Sequence, residues 1–301
     1  MPDMSVRVGV AGWDYRDWSG VLYPSPRPRG FDPVRYLAQY IDLIEINSTF
    51  YRPARGEVAE RWAERVADFP GFRYSAKLWR RFTHERESGW TRADVAAVVE
   101  GFQPLADAGV LDAMLIQFPW SFRNVAENRD WLSDVVDAFA AFPLVIEVRH
   151  ESWNIAEFYD WLGEHGAGFV NIDQPLFNKS IKPSARTTAR TGYVRVHGRN
   201  YREWFRKNAG RDARYDYLYT DAELRPWVRR TEEIAQDRGV DKVDVVFNNH
   251  YRAQAVVNAI QFRHLLSNEA EPAPPLLFER YPDALENAAY PLDAEIEAMQ
   301  S

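Results

Sequence analysis

The chain has 301 residues, 46% hydrophobic and 27% charged, the balance of a soluble globular protein rather than a disordered or membrane-embedded one. Its 37 basic and 44 acidic residues give a formal charge of −7, which excludes indiscriminate coating of polyanions, and the absence of cysteine excludes disulfides, thiolate nucleophiles and cysteine-held metals. No run reaches the roughly 18 apolar residues of a membrane helix, and the short, glycine-interrupted run Val8–Trp13 makes no secretion signal, so a cytoplasmic protein without membrane partners is expected.

Short runs rich in Val, Ile and Leu recur along the chain, most of them followed by a segment of helical period. Val6–Gly12 reads as a first strand, and Pro33 behind Asp32 marks a helix start. Leu43–Thr49 is followed by a helix over Glu57–Ala67, Arg73–Leu78 by Arg92–Ala108, Ala113–Pro119 by Asn128–Ala141, and Leu144–His150 by Trp153–Glu164. After Gly168–Asp173 comes Gln174–Gly192, rich in Pro, Ser, Thr and Arg, which fits no ordinary helix; loops of this length are commonly functional. Tyr193–Gly198 precedes a helix over Asp221–Arg238, and Val243–Asn249 precedes Arg252–Leu266. Eight strand–helix alternations predict an α/β fold, a single (β/α)8 TIM barrel over residues 1–266. Residues 267–301, with eight acidic residues, one basic residue and five prolines, form an acidic tail packed on the barrel or loosely attached to it.

An open doubly wound sheet is the competing architecture, but its central strands would be apolar on both faces. Here one phase of each strand is polar: Glu45 and Asn47, Ser75 and Lys77, Glu147 and Arg149, Asn171 and Asp173, Arg195 and His197. These residues are expected to point into a barrel lumen.

Barrel active sites sit at the carboxyl ends of the strands. The residues there are Ala11-Gly12-Trp13, the heptad Glu45-Ile46-Asn47-Ser48-Thr49-Phe50-Tyr51, Lys77, Gln117-Phe118-Pro119, Glu147-Val148-Arg149-His150, Asp173, His197-Gly198-Arg199-Asn200 and Asn248-Asn249-His250. His84 follows seven residues after Lys77. In these strings, and in Val8–Trp13 and Tyr193–Gly198, the chain resembles the YecE-like family, domain of unknown function 72, over roughly residues 6–265. Ala11 stands where Thr-Ser commonly precedes Gly-Trp, and Leu78-Trp79 where a short Pro-containing segment often follows the lysine. The resemblance implies a TIM barrel and no particular reaction.

The chemistry is therefore read from the residues. Glu45, Glu147 and Asp173 against Lys77, Arg149 and Arg195 make a lumen expected to be nearly self-neutralising; as a purely structural set these groups would form an internal ion network. As a catalytic set, Glu45 or Glu147 serves as base, His197 as acid, and Lys77 with Arg149 binds an anionic, phosphate-bearing substrate. Trp13, Asn47, Gln117, Arg149, His150, Asp173, Arg195, Arg199, Asn248, Asn249 and His250 are the candidate substrate-binding residues. Carboxylate partners are expected to keep Lys77 charged, which argues against an imine-forming lysine. No cofactor is expected. A divalent metal on Glu45, Glu147, Asp173 and His197, as in isomerase or endonuclease barrels, is an alternative that the interleaved cations oppose. A second alternative is single-stranded nucleic acid bound by Lys179–Arg214, where eleven basic residues face two acidic ones among interleaved aromatics.

Overall fold

The computed structural model describes residues 5–204, 206 and 213–293. Eight parallel strands close on themselves in chain order: β1 (Ser5–Ala11), β2 (Leu43–Ile46), β3 (Arg73–Lys77), β4 (Leu111–Gln117), β5 (Leu144–Glu147), β6 (Gly168–Asp173), β7 (Thr191–Val196) and β8 (Lys242–Phe247), with β8 pairing back onto β1. The predicted (β/α)8 barrel is the observed one, and each predicted strand coincides with an observed strand to within a few residues. The predicted strand ends run on into the loops, because the residues that carry polar groups lie just past the last ladder pairing.

The outer layer comprises α1 (Pro33–Leu37), α2 (Gly56–Arg65), α3 (Arg92–Asp107), α4 (Ala126–Ala138), α5 (Ala156–Glu164), α6 (Asp221–Gln236) and α7 (Gln254–Ser267). Local chemistry fixes their starts. Asp32 caps α1 by accepting from Val34 N and Arg35 N, with Pro33 at the first position. Thr91 with Asp94 and Thr220 with Glu223 close capping boxes on α3 and α6.

One crossover departs from the pattern. Between β6 and β7 no helix forms; the chain runs down the outside of the barrel as an ordered, extended strap. Ile181 N donates to Arg149 O at 2.9 Å near the top, and Phe169 N donates to Thr188 Oγ1 at 2.8 Å near the bottom. Asn171 holds the middle: its Oδ1 accepts from Ser184 Oγ (2.7 Å) and Arg186 N (2.8 Å), and its Nδ2 donates to Arg186 O (2.9 Å). This corrects the predicted phase of β6. In register, Ile172 lies beside Arg195 and Asn171 beside Val194, so Val170 and Ile172 enter the lumen while Asn171 and Asp173 point outward. A backbone strap needs hydrogen-bonding partners on the strand it covers, whereas a helix needs apolar ones.

The described part of the tail docks on the barrel. Residues 267–293 form β9 (Glu271–Ala273), α8 (Pro275–Arg280), α9 (Pro282–Leu285) and β10 (Ala289–Pro291), with Ala273, Leu277 and Leu285 buried. They lie against α7, whose residues Ala255–Phe262 are all buried as a result. Arg263 links α7 to Glu271 (2.9 Å) and to Asp42 (2.6 Å), and Tyr40 donates to Leu292 O at 2.8 Å. The described tail therefore covers the seam between the last and first strands, not the basic Lys179–Arg214 segment.

Candidate active site

The upper lumen is filled by an ion network built on Arg195, which is fully buried on β7. Its guanidinium donates from Nη2 to Glu45 Oε1 at 2.7 Å and from Nη1 to Glu147 Oε2. The other oxygen of Glu147 accepts from Arg149 Nε at 2.8 Å and lies 3.3 Å from His197 Nε2. Burial alone would raise the Glu147 carboxyl, but Arg195 and Arg149 hold it well below the usual carboxylate range. Burial lowers His197 to about 3 against the pull of Glu147, so the ring is neutral. The neutral imidazole is engaged on both sides: Nε2 lies 3.2 Å from Arg149 Nη2 and 3.3 Å from Glu147 Oε1, and Nδ1 lies 3.0 Å from Asn248 Nδ2. Beneath, Tyr193 donates its hydroxyl to Ser75 Oγ at 2.7 Å.

The expected balance of three anions and three cations fails because Asp173 lies on the outer phase. Two carboxylates, Glu45 and Glu147, face three cations, and Arg195 and Arg149 engage both. Lys77 is the cation in excess. Among the described residues its Nζ has no hydrogen bond and no carboxylate within 4.0 Å; the Phe50 ring is 5.3 Å away. The carboxylate partners expected for Lys77 are absent, taken by an arginine from the far side of the barrel. Burial and the neighbouring Arg195 lower the Lys77 amine to about 8, with Glu45 and Glu147 opposing from a distance.

Above this network opens a cavity of about 670 Å³, a size suited to a small organic ligand. Lys77, Arg80, Arg149 and Arg214 reach it, as do the rings of Tyr15, Phe50, Tyr51, Trp120, Phe177, Trp204 and Tyr215. No carboxylate is among its described lining residues. Amides add polarity without charge: Gln174, only 3% exposed, has no protein partner for Nε2 among the described residues, and neither does the buried Oδ1 of Asn47. His250 is fixed by stacking on Tyr15 at 4.1 Å and by Trp18 Nε1 donating to its carbonyl at 2.6 Å. Gly12 makes this stack possible. Its φ of +78° suits glycine, and a Cβ there would lie 2.5 Å from the Tyr15 hydroxyl. His84, also on the wall, is lowered to about 4 by burial and by Arg149, Lys77 and Arg80.

Of the residues singled out from sequence, Asn47, Lys77, Gln117, Arg149, Asn248 and His250 line the cavity. Glu45, Glu147, Arg195 and His197 lie beneath it as its floor support, fully buried. The others are elsewhere. Trp13 packs edge-on against Trp62. His150 accepts from Ser152 N and faces Trp120. Asp173 takes both Arg199 Nε (2.8 Å) and Nη2 (2.9 Å) and the Tyr219 hydroxyl, so Asp173 and Arg199 pin the loop after β7. Asn249 donates to Tyr217 O and Asn258 Oδ1, tying that loop to α7. The suggested metal set is not assembled: Asp173 is turned away from Glu45, Glu147 and His197. Among the described residues no group of three or more His, Asp or Glu is placed to hold a metal ion.

The basic segment Lys179–Arg214 does not form one face. Arg195 is in the core, Arg186 lies over Tyr159, Arg190 pairs with Asp241 at the opposite end of the barrel, and Arg199 is engaged by Asp173. Lys207, Arg211, Asp212 and Phe205 lie outside the described residues. What the segment brings to the cavity is Ser180, Trp204 and Arg214, joined by the flanking Phe177 and Tyr215. Sequence reasoning passed over Gln174, Phe177 and Ser180, and their signal was position alone: they open the one crossover that lacks a helix.

Comparison with known proteins agrees with this architecture. A family model described as protein of unknown function DUF72 matches residues 7–280. The chain is 25% identical over 279 residues to the UPF0759 protein YunF of Bacillus subtilis, covering 88% of this chain and 95% of that protein. Among solved structures, it is similar to a DUF72 family protein from Thermotoga maritima, with 31% identity and a TM-score of 0.74 over 87% of this chain and 99% of the other. A DUF72 family protein from Enterococcus faecalis shares the fold at 23% identity and a TM-score of 0.76, covering 88% of this chain and 97% of that one.

Proposed function

The chain belongs to the DUF72 family, whose description carries no reaction, and we propose that it is an enzyme performing acid–base chemistry on a small anionic, phosphate-bearing substrate at the carboxyl ends of the strands. One observation carries this reading: four cations and no described carboxylate line a cavity large enough for such a ligand. Lys77 has no carboxylate within 4.0 Å among the described residues, a charge that is costly when the cavity is empty and offset when an anion enters, whereas Arg149 is paired with Glu147, Arg80 with Glu85 at 2.8 Å, and Arg214 is exposed. Arg149 is preorganised by Glu147, which leaves the outer edge of its guanidinium for the ligand, and Arg80 and Arg214 extend the positive wall toward the mouth. The rings offer apolar faces to the rest of the molecule.

The proton-transfer role falls to Lys77 rather than to Glu45, Glu147 or His197. A carboxylate clamped by two arginines is a weak base, and an imidazole lowered to about 3 is neutral and already hydrogen-bonded on both sides. An amine near 8 has both protonation states within reach at physiological pH. Thermal-shift titration at low ionic strength with inorganic phosphate and a panel of phosphorylated metabolites tests the reading. Stabilisation that is lost in the Arg80→Ala/Arg214→Ala double variant supports it. No stabilisation by any phosphate-bearing compound overturns it.

A further inference from the structure

We infer that Lys77 is a covalent nucleophile, condensing with the carbonyl group of a substrate that also carries the anionic group; this rests on the anion-binding reading, replaces the proton-transfer role of the free amine with a bond-forming one, and adds the substrate class, an aldehyde or ketone phosphate. Three observations converge. Lys77 Nζ opens onto the cavity with no ion pair or hydrogen bond among the described residues, so its lone pair is uncommitted once the proton is lost. The other cations of the cavity are arginines, in a chain with 32 arginines and 5 lysines; where charge alone was needed, this chain used arginine. The wall of the same cavity also offers neutral hydrogen-bonding groups, with Gln174 Nε2 lacking a protein partner among the described residues. The lowered affinity of the amine for a proton, caused by burial and Arg195, is consistent with this geometry.

The chemistry closes without a further reactant. The Nζ lone pair adds to the carbonyl carbon, forming the C–N bond, while the carbonyl oxygen takes up a proton as the nitrogen loses one. The resulting carbinolamine loses its hydroxyl as water, and the nitrogen lone pair forms the C=N bond. The net change is loss of one water, with no oxidant or reductant. The imine, once protonated, withdraws electrons from the adjacent carbon, which is what deprotonation or carbon–carbon cleavage beside a carbonyl requires.

The test is reductive trapping of the full chain with dihydroxyacetone phosphate and cyanoborohydride, read by intact mass and peptide mapping. Hydroxyacetone, which lacks the phosphate, runs in parallel. The expected result is a single adduct per chain on Lys77, diminished by inorganic phosphate, much weaker with hydroxyacetone and absent in Lys77→Arg. Mapping on the wild type locates the adduct even if that variant folds poorly. Label confined to the exposed Lys179 and Lys182, or equal in Lys77→Arg, overturns the inference. No adduct while phosphate still stabilises the protein overturns the imine and leaves the anion-binding reading standing; no adduct and no stabilisation overturn both.

Discussion

Arg195 decides what its neighbours can do. It is fully buried, and two carboxylates from two other strands converge on it. Removing one partner of such an arrangement leaves an uncompensated buried charge, which costs far more than the pair contributes. Glu147→Gln is therefore expected to lower the unfolding free energy by about 3–5 kcal/mol in urea denaturation. A loss below 1 kcal/mol, taken here as roughly the value of an exposed pair, would contradict the role given to Glu147. The same arginine explains why Lys77 looked paired in the sequence. Glu45 and Glu147 are the natural partners of a lumen lysine, and nothing in a linear string tells that an arginine on β7, three strands round the barrel from Glu45 and two from Glu147, reaches both first.

At the scale of elements, the strands were legible because parallel strands of a closed barrel repeat the same apolar run, and four of the five polar-phase assignments needed only alternation. β6 was misread for a physical reason. Its outer face meets a strap of extended backbone, so the polar residue belongs outside, and Val170 and Ile172 fill the lumen instead. Polarity in a strand marks the face that needs hydrogen bonds, which is usually but not always the lumen. Asn171→Ala is expected to cost about 2 kcal/mol, the loss of three side-chain hydrogen bonds partly offset by hydration of the freed strap. Hydrogen exchange should accelerate over residues 183–188 and leave the α5 amides unchanged; uniform acceleration would mean that Asn171 supports the barrel rather than the strap.

For the molecule as a whole, stability in acid is a contest between two ends of one lumen. At the upper end, His197 has a folded value of about 3 against an ordinary value near 6.5, so stability is lost as pH falls below 6.5, by about 3 kcal/mol at pH 4. At the lower end, Asp244 is fully buried, 4.0 Å from Arg7 and near Asp112, which itself pairs with Lys242 at 2.7 Å and Arg7 at 2.8 Å. Burial and the Asp112 carboxylate push Asp244 well above its ordinary range, so its contribution is greatest in acid and is lost as pH rises through its folded value. The signs oppose. In Asp244→Asn the histidine effect is unopposed, and the melting temperature should fall more steeply between pH 6.5 and 4 than in the wild type. Parallel curves would show that Asp244 ionises normally.

The seam covered by the tail has a consequence for how the protein comes into being. Of the eight barrel strands, β1 leaves the ribosome before the others and β8 after them, and the bond from Tyr40 to Leu292 joins residues 252 positions apart. The cavity draws on residues from Tyr15 to His250, so no nascent fragment that ends before His250 holds its whole lining. Contacts this distant in sequence make closure slow. Until it happens, the charges destined for the lumen remain in water, and the site is complete only once the barrel has closed.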